Sequence, residues 1–101
     1  MGDRQDLQDL LVSILESTNV YFQPPTNIQL SYPCIVYIKD KRDTEFAGNL
    51  PYKDVNGYQL TIIDHDPDSE IPDKIAKLPM CLFDRFFRAD NLNHFVYNIF
   101  F

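Results

Sequence analysis

The chain has no tryptophan, only three glycines and two cysteines, and its nine lysines and arginines are outnumbered by fifteen acids. Each shortage removes a class of function. With three glycines in 101 residues a phosphate-cradling loop is hard to build, and neither a dinucleotide fingerprint nor a nucleophile elbow is present. The net charge of −6 argues against gripping nucleic acid, which needs clustered Lys and Arg to neutralise phosphates. It is compatible with an acidic surface past which DNA slides. Cys34 in CIVYI and Cys81 in MCLF lack Cys-x-x-Cys spacing and read as small buried hydrophobes, not as a disulfide or a metal pair. No apolar run approaches the ~20 residues of a bilayer span, and the N-terminus is polar, without the apolar stretch of a signal peptide. The expected setting is a reducing cytoplasm without a membrane.

What is present in quantity is aromatic surface. Eight Phe and six Tyr in 101 residues exceed what one small core easily hides and point to a partner surface. The length suits one domain, 1–101, with a core but without room for a deep substrate cavity.

Along the chain, residues 3–17 predict a helix. Leu7, Leu10, Leu11, Ile14 and Leu15 share one face, Asp3 serves as N-cap, and Asn19 is the residue expected to take the left-handed conformation after it. Residues 20–23 and 33–39 predict strands, joined by a proline-bearing loop that Ile28 and Leu30 tack down. The segment 40–51 is the longest polar stretch. Its Lys41, Arg42, Asp43 and Glu45 mix signs around Phe46, which either folds back onto its own core or extends to a neighbouring chain. Residues 52–64 predict a further strand, with either a bulge or a hairpin turn at Asn56-Gly57. Residues 69–77 predict a short helix with Ser69 as N-cap, and 80–88 and 94–101 the last two strands around a turn at 89–93. Under strict alternation each face of 80–88 is half apolar and half charged, which marks Asp84 and Arg85 as candidate interface contacts. The fold class is α+β, an antiparallel or mixed sheet of about five strands with two helices on one face, in the order α-β-β-β-α-β-β.

The one cluster that looks like chemistry is DHDPDSEIP, with Asp64, His65, Asp66, Asp68 and Glu70. A calcium loop counted from Asp64 needs Gly at position six and Glu at twelve, where this chain has Ser69 and Ile75. Zinc needs more ligands than His65 and its neighbours supply, with only the distant His94 left. Carboxylates that bond their own backbone, a proline that presets a turn and acids at a helix start explain the stretch as a strand-to-helix joint. No catalytic, cofactor-binding or metal residue is assigned, and the chain reads as a non-enzyme.

Six segments in order, VYFQPP, LSYPCIVY, NLPY, YQLTIIDHDPDSEIPDKI, LPMCLFDRFF and ADNLNH, resemble a family of small tail-completion proteins of long-tailed bacteriophages, the tail terminator or minor tail proteins. The resemblance runs from about Val20 to Phe101 and carries no chemistry. It implies a structural virion protein that caps the head-proximal end of the tail tube as a hexameric ring, ends tube polymerisation and offers the head-joining surface. The implied partners are further copies of the chain, the major tail tube protein and a head-completion or connector protein, with DNA only passing through the lumen. The implied location is the tail–head junction of the virion, after assembly in the host cytoplasm. A head-completion or stopper protein and a small non-virion binding module are the alternatives. The working surfaces expected are the 40–51 loop and the aromatic strands.

Overall fold

A computed structural model describes residues 4–40 and 57–101. Among these the order is α1 (Arg4–Leu15), β1 (Val20–Phe22), β2 (Cys34–Lys39), β3 (Gly57–Asp64), α2 (Ile71–Ala76), β4 (Cys81–Ala89) and β5 (Leu92–Phe100). The strands form one sheet in the order β1-β2-β3-β5-β4. β1 runs parallel to β2 and every other pairing is antiparallel, so the sheet is mixed. Among the described residues the α+β class, the five strands and the two helices on one face are as the sequence implies.

The core lies between the helices and one face of the sheet. Leu7, Leu11 and Leu15, spaced four apart on α1, are buried against Ile35 and Tyr37 of β2, Tyr58, Leu60 and Ile62 of β3, and Tyr97 and Ile99 of β5. Ile75 of α2 joins the same cluster. Each such side chain contributes about 1.5–3 kcal/mol through loss of apolar surface from water. The Tyr37 hydroxyl reaches the helix layer, where it donates to Gln8 Oε1 at 2.5 Å and accepts from Arg4 at 3.2 Å. The Tyr97 hydroxyl donates to the Pro72 carbonyl at 3.3 Å and ties β5 to α2. A polar tip on an otherwise buried ring needs such a partner, and here the partner also fixes where the helix sits.

The opposite face carries a smaller cluster of Cys34, Ile63 and Leu92, with Tyr21, Leu30 and Val36 packed on it. Leu30 therefore anchors the β1–β2 connection, as expected, whereas Ile28 is exposed. A parallel pair cannot be joined by a tight turn, and this connection crosses the face that the helices leave open.

Several boundaries differ from the sequence reading. After α1 the left-handed residue is Glu16 (φ 59°), not Asn19. Asn19 is used elsewhere: its side-chain amide donates to the Pro33 carbonyl at 3.3 Å and pins the start of β2. α2 begins at Ile71 with Glu70 in the capping position, and the Ser69 hydroxyl accepts from the Ile71 N–H at 3.3 Å. β5 begins at Leu92, two residues earlier than expected. Asp90 (φ 55°) and Asn91 (φ 63°) alone make the hairpin turn, leaving Ala89 paired with Leu92. Two consecutive positive φ values match the twist of the flanking strands, and Asp and Asn tolerate that region better than most residues. Gly57 opens β3, paired with Phe100 and without the positive φ that a two-residue hairpin turn at Asn56-Gly57 needs. Asp3, Asn56 and the 41–51 part of the polar loop lie outside the described residues.

Candidate interaction surface

β4 is the last strand of the sheet, with β5 its one strand neighbour among the described residues. The register slips by one residue between Phe83 and Arg85: Phe83 pairs with Tyr97 and Arg85 with Val96, so Asp84 is extra. A bulge of this kind reverses the alternation beyond it. Phe83 and Phe86, three apart in sequence, thus fall on the same face as the helices, edge-on to Tyr97 at 5.4 Å and tilted against Phe95 at 4.9 Å. Leu82, Arg85 and Phe87 fall on the other face, where Phe87 stacks on His94 at 4.5 Å. The expectation that each face is evenly half apolar and half charged is corrected by this bulge. The two phenylalanines meant for opposite faces come together.

The helix layer covers Cys81 at the start of this strand but leaves the large apolar side chains beyond it exposed. Leu82 is 67% exposed, Phe83 57%, Phe86 48% and Phe87 39%, with Met80 at 40% just before the strand. Five large apolar side chains thus project from one sheet edge, an arrangement that marks interaction sites in soluble proteins.

Of the residues singled out by sequence, Asp84 and Arg85 sit at the bulge in this surface. Arg85 Nη1 lies 3.1 Å from Asp84 Oδ2, and the Asn98 amide donates to the same oxygen at 3.3 Å. Arg85 also lies 5.9 Å from the Phe87 ring centroid. An ion pair this exposed contributes about 0–1 kcal/mol, so its value to the isolated chain is small. Lys41, Arg42, Asp43, Glu45 and Phe46 lie outside the described residues. Sequence reasoning named the aromatic strands in general but did not single out Leu82, Phe83, Phe86 and Phe87. Their signal was the doubled FF beside a charged pair in CLFDRFFRA, a motif that does not reveal which strand is the edge.

The acidic turn after β3 is organised around its own backbone. Asp64 Oδ1 accepts from the Asp66 N–H at 3.1 Å, and Asp66 Oδ1 accepts from the Asp68 N–H at 2.9 Å. Buried Asn93 holds the turn from β5, donating to the carbonyls of Asp64 (3.2 Å) and His65 (3.1 Å). The His65 ring meets Tyr32 edge-on at 5.7 Å. Among the described residues no group of three or more His, Cys, Asp or Glu could hold a metal ion.

The cysteines lie far apart in the sheet. Cys34 is on β2 in the open-face cluster, and Cys81 is on β4, packed against the helix-face cluster. Three strand spacings of ~4.8 Å separate their strands, roughly 14 Å, beyond what a disulfide spans. Burial pushes the Cys34 thiol up to about 12, with the charge of Asp64 adding to it, and burial pushes Cys81 up to about 11. Both are protonated at neutral pH, the unreactive form of a thiol.

No helix among the described residues is long and apolar enough to cross a membrane. Comparison of the chain with protein-family models, with curated proteins and with solved structures returns no match.

Proposed function

We propose that this chain is a structural assembly protein whose working surface is the β4 edge. Its specific role, on this proposal, is that of a tail-completion protein: a ring of copies, six in the terminator arrangement, caps the head-proximal end of a phage tail tube, ends its polymerisation and presents a surface to the head-completion protein. The observation that carries the reading is the projection of Leu82, Phe83, Phe86 and Phe87 from a terminal strand of a small domain, with Met80 exposed just before it. Large apolar side chains held in water at a sheet edge are stabilised when another chain covers them. The order and wording of the six sequence segments give the reading its tail-specific form.

No catalytic role belongs to this reading. The acidic turn serves to start α2, and the thiols are held protonated. In the finished tail end β4 meets another protein of the joint, and DNA passes without specific contact.

The test is electron microscopy of purified tail tubes incubated with the protein. Added density at one tube end, and tubes that no longer lengthen when tail tube protein is supplied, are the expected results. Tubes that bind nothing, or bind the protein along their sides, overturn the tail reading.

A further inference from the structure

We infer that the free protein is a two-fold dimer in which β4 pairs antiparallel with β4 of a second copy. The inference rests on β4 being an assembly surface and not on its role at a tail.

The register follows from the bulge. Across antiparallel strands, opposite residues point to the same face, so a two-fold pairing must match faces as well as positions. Without the bulge, Phe83 and Phe86 point to opposite faces and cannot oppose each other. With Asp84 extruded, Phe83 and Phe86 share the helix-side face, and Leu82 and Phe87 share the open face. One register then satisfies both apolar pairs around an axis at Arg85: Phe83 opposes Phe86 of the second copy, and Leu82 opposes Phe87. By symmetry each match occurs twice. The segment from Leu82 to Phe87 is self-complementary in chemistry only when read with its bulge.

Charge is compatible with the same register. The axis sets Arg85 opposite Arg85 of the second copy, and the Asp84 carboxylate 3.1 Å from each guanidinium on the open face offsets that like-charge approach. Any register that brings Arg85 or Arg88 opposite the phenylalanines loses both matches. The bulge interrupts the strand ladder at the axis, and the pairing hydrogen bonds run on either side, over 81–83 and 86–88.

The exposed area available to the pairing is of the right order. At roughly 200 Å² per ring the exposed parts of Phe83, Phe86 and Phe87 leave about 300 Å² of aromatic surface per copy. With Leu82, Met80 and the main-chain edges included, two copies draw on about 1,000 Å², the threshold for a specific interface. The dimer keeps this edge from indiscriminate pairing before assembly.

The experiment is light scattering on the purified full chain, followed by thiol cross-linking. The expected mass is twice the 11.9 kDa of the chain. In a Cys81→Ala background, which removes the thiol that this register sets opposite position 88, Arg85→Cys, whose side chain is solvent-exposed and whose loss spares the core, is expected to give a covalent dimer with a short bis-maleimide, whereas Arg88→Cys and the unaltered background give little. Arg85→Asp places four carboxylates at the axis and is expected to weaken association at least tenfold with an unchanged circular-dichroism spectrum. A monomer at every concentration, a hexamer with no dimer, or a dimer that Arg85→Cys fails to link overturns the inference. Its failure is distinguishable from failure of the tail reading. A monomer that still caps tubes overturns only the dimer, and a cross-linkable dimer that ignores tubes overturns only the tail role.

Discussion

The acidic turn at 64–70 and the β4 edge stand at opposite ends of a scale of satisfaction. The turn is rich in groups that resemble a catalytic or metal site. Yet its Asp64 and Asp66 carboxylates take up the backbone N–H groups of Asp66 and Asp68, and Asn93 holds its carbonyls from below. The β4 edge has one polar pair and a row of apolar groups in water. Polar side chains in a turn reach their partners locally, within two residues, and ask nothing of another molecule. Apolar side chains have no local remedy, because only a covering surface removes them from water. The comparison teaches that suggestive polar residues can be satisfied within their own turn, whereas exposed apolar side chains are left with a burial that only another surface completes.

The largest expected effect tests the β4 side. Phe83→Asp combined with Phe86→Asp is expected to abolish association and tube capping altogether while secondary structure persists, measured by light scattering and circular dichroism. Retained association would remove β4 from the role given to it here.

The next tests whether the turn is structural. Asn93→Ala leaves two backbone carbonyls without their buried donor and is expected to cost about 1–3 kcal/mol in a denaturant titration. Association should be unchanged once the protein is folded. A loss of binding without a loss of stability would make the turn a contact site.

A smaller effect concerns the thiol beside the turn. The Cys34 thiol is raised from its ordinary 9.0 to about 12 by burial and by Asp64. The folded state therefore holds its proton where the unfolded chain releases it. The stability contributed is fully present below about pH 9 and is lost as pH rises toward 12. Cys34→Ala is expected to flatten that decline, measured as denaturation midpoints from pH 8 to 11, and an unchanged slope would assign the decline to other groups.

The smallest effect belongs to the carboxylates themselves. Asp66→Asn keeps an oxygen that can accept from the Asp68 N–H, so stability should move by no more than about 0.5 kcal/mol. Addition of calcium or zinc should leave the melting temperature unchanged in both proteins. A metal-dependent rise that Asp66→Asn removes would return the turn to the list of binding sites.

Much of the scaffold was legible from local pattern. The four-residue spacing of Leu7, Leu11 and Leu15 declares the buried face of α1, and the β-branched run from Cys34 to Lys39 declares a strand. The candidate surface was only half legible. Asp84 and Arg85 stood out because they interrupt an apolar run, but assigning faces to their neighbours required the register. Sequence alternation assumes one residue for one residue, and β4 breaks that rule at Asp84. Asn19 shows a similar limit. Its preference for left-handed backbone is local, whereas the hydrogen bond to Pro33 that occupies it comes from fourteen residues away.

By itself, then, the sequence determined the class of elements, the buried face of α1 and the carboxylate-to-backbone bonds within DHDPDSEIP, because each depends on interactions within a few residues. Only the tertiary structure decided that β1 pairs parallel with β2, that β4 lies at the sheet's edge and that Asp84 bulges. These follow from which strands meet across the sheet, a matter settled by total burial over the whole chain and invisible to any short window. The surplus of aromatics implied that some rings stay exposed. The bulge and the end of the helix layer determined where the exposed rings lie and which of them share a face.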